Sequence, residues 1–184
     1  MTEVPFNPSH DRARTEKSLL DCTSEIFSWH YVFPVLSAEA CERLANIFDA
    51  APRMSDELFL DCIPYSVDKT ISDAVTETVN VLLRKIMGDD KVRVEESNTP
   101  VIRKNYASCM TAEDSSKGGF VVQIRLCTDC EGANYFVRRY GEASTRVERL
   151  SQGYAVLRPS ALPYVLSPVT HGDFYDLFFY YDYV

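Results

Sequence analysis

Residues 173–183 read DFYDLFFYYDY. As a strand, this run puts Phe174, Phe178 and Tyr180 on one alternating set and Tyr175, Leu177, Phe179 and Tyr181 on the other. Both faces are then aromatic or aliphatic, and a strand of that kind needs cover on both sides. The interior of a barrel suits one face and a layer of helices the other.

Upstream of this strand the apolar period is two from residue 91 onward. Short runs occur at 91–96, 99–105, 119–127, 134–140, 145–150, 153–158 and 162–168. Turn signals part them: Gly118 with Gly119, residues 129–132, Gly141, Gly153, Pro159, and His171 with Gly172. About eight strands at spacings near ten residues predict a sandwich or jelly roll. No internal repeat or low-complexity tract interrupts them.

The helices come earlier. Residues 26–35 (IFSWHYVFPV) are β-branched and aromatic and read as a first strand. Ser37 caps a helix through Ala51 with Cys41, Leu44, Ala45, Ile47 and Phe48 on one stripe, and Pro52 stops it. A second helix at 68–87 spaces Ile71, Ala74, Val75, Val79, Leu82, Leu83 and Ile86 helically and ends at Gly88. Residues 1–24, polar and punctuated by Pro5 and Pro8, read as a flexible arm, which leaves 25–184 as one domain. The fold class is therefore α+β, a jelly roll supported by two N-terminal helices.

Composition narrows the function. With 184 residues and 46% hydrophobic content, one core is amply supplied. A formal charge of -8 and a pI near 4.9 argue against nucleic acid and anionic membranes as partners. Arg138, Arg139, Arg146 and Arg149 are expected to form a solvated strand face. No apolar run approaches the ~20 residues that span a bilayer, and MTEVPFNPSHDRARTEK at the start has no apolar signal core. Six cysteines in such a chain read as reduced thiols, so an intracellular location, cytoplasmic or nuclear, is expected. No Gly-rich phosphate loop and no Gly-x-Ser-x-Gly occurs.

Two helices followed by this jelly roll resemble the double-stranded β-helix of prolyl 4-hydroxylase-like Fe(II)/2-oxoglutarate-dependent oxygenases. The local landmarks are similar and stand in the family's order. FPVLSAEACERL at 33–44 is similar to the Ser-x-Glu-x-Cys helix start, and IRLCTDCEGANYF at 124–136 to the Tyr-Leu-Asn strand with its acidic turn. SQGYAVLRP at 151–159 is similar to the Gln-Gly turn and Ala-Val-Leu strand, and SPVTHGDFYDLFF at 167–179 to Pro-Val-x-x-Gly before the last strand. The resemblance covers residues 30 to 184.

The resemblance also implies where the ligands belong. The family holds iron with two His and one carboxylate, leaving open positions on the metal. Its His-x-Asp falls on Ala112 and Asp114, its distal His on Tyr164, and its cosubstrate cation on Phe174. Of these only Asp114 keeps the family residue. The degenerate site implies no cofactor and a catalytically inactive oxygenase-like domain that binds protein partners as a scaffold, a subunit of a larger complex. Its groove is expected at the barrel mouth, on Tyr106, Met110, Glu113, Asp129, Glu131 and Tyr164. The alternative is an active Fe(II)/2-oxoglutarate prolyl or lysyl hydroxylase with atypical ligands, for example His30, His171 and Asp173. A metal-free small-molecule jelly roll with an aromatic pocket is a third reading.

Other candidates have plain readings beside the chemical ones. The three His are His10 in the arm, His30 in the first strand, read as a hydrogen-bonded structural residue, and His171, read as a turn residue. Cys127-x-x-Cys130 is half a zinc site, with Cys109 and His171 as the available further donors; the plain reading is two reduced thiols at a strand end.

Overall fold

The computed structural model describes residues 19–27, 29–50, 61–64, 69–97, 100–104, 119–137, 145–146, 150–162 and 164–184. Two hairpin strands, β1 (Ser24–Phe27) and β2 (His30–Pro34), precede helix α1 (Ala38–Ala50). Strand β3 (Asp61–Pro64) separates it from helix α2 (Lys69–Met87). Then follow β4 (Val94–Glu96), β5 (Val101–Lys104), β6 (Phe120–Arg125), β7 (Glu131–Gly132), β8 (Tyr135–Val137) and β9 (Thr145–Arg146). The chain closes with β10 (Tyr154–Pro159), β11 (Tyr164–Leu166), β12 (Val169–His171) and β13 (Tyr175–Tyr183).

The major sheet runs β1-β2-β10-β6-β13-β5-β3, and β4 also pairs with β13. The minor layer consists of β11-β8-β9 and the pair β12-β7. β13 lies between β6 and β5, and its two alternating sets go to two cores, as the two-faced pattern of its sequence requires. Tyr175, Leu177, Phe179 and Tyr181 join the core beneath the helices. Phe174 and Phe178 join the barrel interior with Val121, Tyr135, Val156, Tyr164 and Leu166.

The Ser37 hydroxyl accepts the Ala40 amide at 3.2 Å, capping α1 as expected. Cys41 and Leu44 are buried, with Ala45 and Phe48 packed alongside. Ile47 is exposed and does not belong to that stripe. On α2, Ile71, Val75, Val79, Leu82 and Leu83 are buried. Asn80 ties the helix to β4: it accepts the Val94 amide at 2.8 Å and donates to the Val94 carbonyl at 3.2 Å. Gly88, at φ 65, ends the helix in the left-handed region that glycine tolerates.

Three expectations are revised. The single strand over 26–35 is a hairpin, because Trp29 takes φ 65 and turns the chain. The two helices are not consecutive, since β3 lies between them. The short pair β7 and β12 carries too few residues for a period to show. Leu19, which precedes the expected domain start at residue 25, is buried in the helix-covered core.

Candidate functional site

Strand alternation carries four polar side chains into the barrel. On β6, Gln123 and Arg125 share the face of Val121; on β10, Arg158 shares that of Val156; on β13, Asp176 shares that of Phe178. All four are buried. Asp176 stands directly opposite Arg125 across the β13–β6 ladder. Arg125 Nε donates to Asp176 Oδ1 at 2.8 Å, and Gln123 Nε2 donates to the other carboxylate oxygen. A second guanidinium nitrogen of Arg125 reaches the Ala133 carbonyl at 3.4 Å.

Each guanidinium also lies over an aromatic ring. Arg125 Cζ is 4.2 Å from the Phe174 ring centre, and Arg158 Cζ is 4.0 Å from that of Tyr164. Both distances fall within the range of a cation–π contact, which gains strength where water is excluded. Tyr164 stacks on Tyr135 at 5.3 Å, and Tyr135 meets the edge of His30 at 6.4 Å. Since arginine stays protonated, the described interior holds two fixed positive charges against the one carboxylate of Asp176.

Tyr164 and Phe174, the positions assigned to the distal ligand and the cosubstrate cation, therefore do point into the barrel. Ala112, Asp114, Tyr106, Met110 and Glu113 lie outside the described residues, as do His10 and Cys109. The expected groove does not assemble from its described members. Asp129 and Glu131 are exposed beyond the Arg125 end of β6. The 160–162 turn sits at the opposite end, where Ser160 N donates to Gly119 O at 2.9 Å. Antiparallel pairing of β10 with β6 puts these two turns at opposite ends of the sheet. Tyr164 is itself only 1% exposed, so it is an interior residue and not a rim contact.

The alternative trio is also dispersed. Asp173 pairs with Lys104 at 3.2 Å. His171 is exposed on β12, opposite Glu131. His30 is buried on β2, next to the residue opposite Leu157 and so toward the other end of the sheet. The basic strip is represented only by the backbone of Arg146 in β9.

The sequence reading missed Arg125, Gln123, Arg158 and Asp176 as a group. A signal existed: in VVQIRL and AVLRP the charges stand inside apolar runs, where solvent is not expected on either face.

No protein-family model matches the chain, and no curated protein matches it. Solved structures do. The major and minor sheets are those of the double-stranded β-helix of the 2OG-Fe(II) oxygenases, and the chain has that fold. An oxidoreductase of the 2OG-Fe(II) oxygenase family from Burkholderia pseudomallei superposes with TM-score 0.64 at 12% identity, covering 99% of this chain and 95% of that one. The viral collagen prolyl hydroxylase of Paramecium Bursaria Chlorella virus-1, in complex with 2OG, gives 0.57 at 12% identity, over 83% of this chain and 94% of that one. A non-heme α-ketoglutarate-dependent carbocyclase from nogalamycin biosynthesis gives 0.60 at 11% identity, over 97% and 87%.

These likenesses correct the expectation of no cofactor. The solved structures similar to this chain include 2OG-Fe(II) oxygenases, and two of them hold 2OG, so iron and 2-oxoglutarate are the groups against which the barrel must be tested. The described residues answer differently for each. For a carboxylate, the barrel holds the buried guanidinium groups of Arg125 and Arg158, a cation type suited to such a group. For a metal, no three His, Cys, Asp or Glu come together among the described residues. No helix among the described residues is long and apolar enough to cross a membrane.

Proposed function

We propose that this barrel holds a small dicarboxylic acid of the 2-oxoglutarate type, with Arg125 taking one of its carboxylates. One observation carries the reading: the Arg125 guanidinium lies 4.2 Å over the ring of Phe174, the residue at the position where the resemblance calls for a cation. The charge comes from the neighbouring strand and reaches nearly the same place. Asp176 fixes the Nε edge of the fork, so the group is oriented before a ligand arrives. Iron, in this class, supplies the oxidising chemistry; the described residues do not make a site for it, and no step is taken through it. The neighbours include a prolyl hydroxylase, an epimerase and a carbocyclase, so fold alone selects no second substrate.

Calorimetry of the full chain with 2-oxoglutarate, with and without Mn(II), tests the reading. Saturable binding that Arg125→Lys weakens at least tenfold, in protein whose circular dichroism is unchanged, is the expected result. No heat under either condition overturns it.

A second reading has its own observation. Tyr164, the residue that the resemblance puts at the distal ligand position, is packed against Arg158 and Tyr135, which fills the interior there. On that reading the chain is a catalytically inactive oxygenase-fold module that binds a protein segment, with Asp129 and Glu131 as acidic surface contacts for a basic segment. Loss of a captured partner in an Asp129→Lys/Glu131→Lys variant would support it. Capture of the same partner by that variant would remove these residues from the interface.

A further inference from the structure

Among the described cysteines two stand apart from the rest. Cys22 is exposed on its own and Cys41 is buried under α1, whereas Cys127 and Cys130 face one another with sulfurs 3.2 Å apart. They bracket the turn that leaves β6 immediately after Arg125. Cys127 is partly exposed and Cys130 is buried. The turn is gripped from the other side: Gly172, at φ 76, packs so closely that a Cβ there would collide with the Asp129 carbonyl. Two sulfurs already in contact across a short, closely packed turn need little motion to bond. No third donor stands near them among the described residues, so no described residue completes a zinc site.

We propose that Cys127 and Cys130 form a reversible disulfide, making the turn after β6 a thiol-redox site. The oxidant class is a small-molecule disulfide such as glutathione disulfide. The Cys127 thiolate, the more accessible sulfur, attacks one glutathione sulfur; a Cys127–glutathione bond forms and one glutathione thiolate leaves. The Cys130 thiolate then attacks the Cys127 sulfur, the intramolecular disulfide forms and the second glutathione thiolate leaves. The two cysteine protons end on the two glutathione thiols, and two electrons pass from the protein to glutathione. The hydrogen bond to Cys130, with burial, pushes the Cys127 thiol up. Exchange is therefore slow at neutral pH and quickens as the pH rises.

Full-length protein is equilibrated in mildly alkaline buffer at a series of reduced-to-oxidised glutathione ratios, quenched in acid, unfolded, alkylated with maleimide and cleaved at arginine. Cleavage after Arg125 and Arg138 leaves both cysteines on one peptide, separate from exposed Cys22. The expected product in oxidising buffer is that peptide without maleimide or glutathione and lighter by two hydrogens, with labelling down more than tenfold and restored by reduction. Cys130→Ser should stop at glutathione on Cys127, while Cys127→Ser should leave Cys130 alkylatable. A wild-type peptide carrying two maleimides in the most oxidising buffer, or one halted at a glutathione adduct, overturns the proposal.

Discussion

Asp176 has no exposure, and its carboxylate is held by Arg125 and Gln123. Replacing it with Asn keeps the volume but leaves the Arg125 guanidinium buried without its counter-charge, which costs about 3–5 kcal/mol. Urea denaturation should show that loss. An Arg125→Met/Asp176→Leu pair should recover most of it, because removing both charges also removes both desolvation penalties. Cys41 bears on alkaline stability. Burial is the main cause that pushes its thiol up, from 9.0 to about 12. Between those values the unfolded chain gives up this proton and the folded chain keeps it, so stability falls as pH rises, by up to about 1.4 kcal/mol per pH unit. Below 9.0 the contribution is fully present. Cys41→Ala should reduce that slope in denaturation series run across the window, leaving the declines that come from the raised Cys127 thiol and the raised Tyr181 hydroxyl.

At the scale of elements, α2 shows how far pattern reading reaches. Its stripe is legible because Val75, Val79 and Leu82 recur at helical spacing, and all three are fully buried against the major sheet. Leu82→Ala should cost about 2–5 kcal/mol through lost contacts and a cavity. Ile86, on the same stripe but only partly buried, should cost clearly less. A thermal-melt comparison of the two variants that shows equal losses would contradict this packing. The hairpin of β1 and β2 was illegible because its turn depends on Trp29 at positive φ, a conformation that no aromatic residue announces. The stripe on α1 misled at Ile47, which is 42% exposed, because apolar type alone does not fix which side of a short helix faces the sheet.

Across the whole molecule, the jelly roll was legible because its strands are short apolar runs and glycine or proline separates most of them. The landmarks around Gly153 and Gly172 kept their order for a steric reason, since each glycine sits at positive φ against a neighbouring carbonyl. The site was legible only by position: Tyr164 and Phe174 were located, but Arg125, laid over Phe174, comes from a strand distant in sequence, and Arg158, laid over Tyr164, stands in an otherwise apolar run on the strand just before it. If the barrel takes a dicarboxylate, binding must stabilise the native state, by about 2.7 kcal/mol at a hundredfold excess over Kd. The melting temperature should therefore climb with 2-oxoglutarate concentration in the wild type and stay flat in Arg125→Met/Asp176→Leu. β13, meanwhile, is apolar on both faces, so hydrophobicity alone barely distinguishes its correct pairing from one slipped by a single residue. A slip would carry Asp176 out of reach of Arg125 and press a bare carboxylate into the layer beneath the helices. The one buried charge on this strand thus acts as an indexing mark: it tells a nearly symmetric ribbon which side faces the barrel, and mispaired sheets are rejected by electrostatics where greasiness could not reject them.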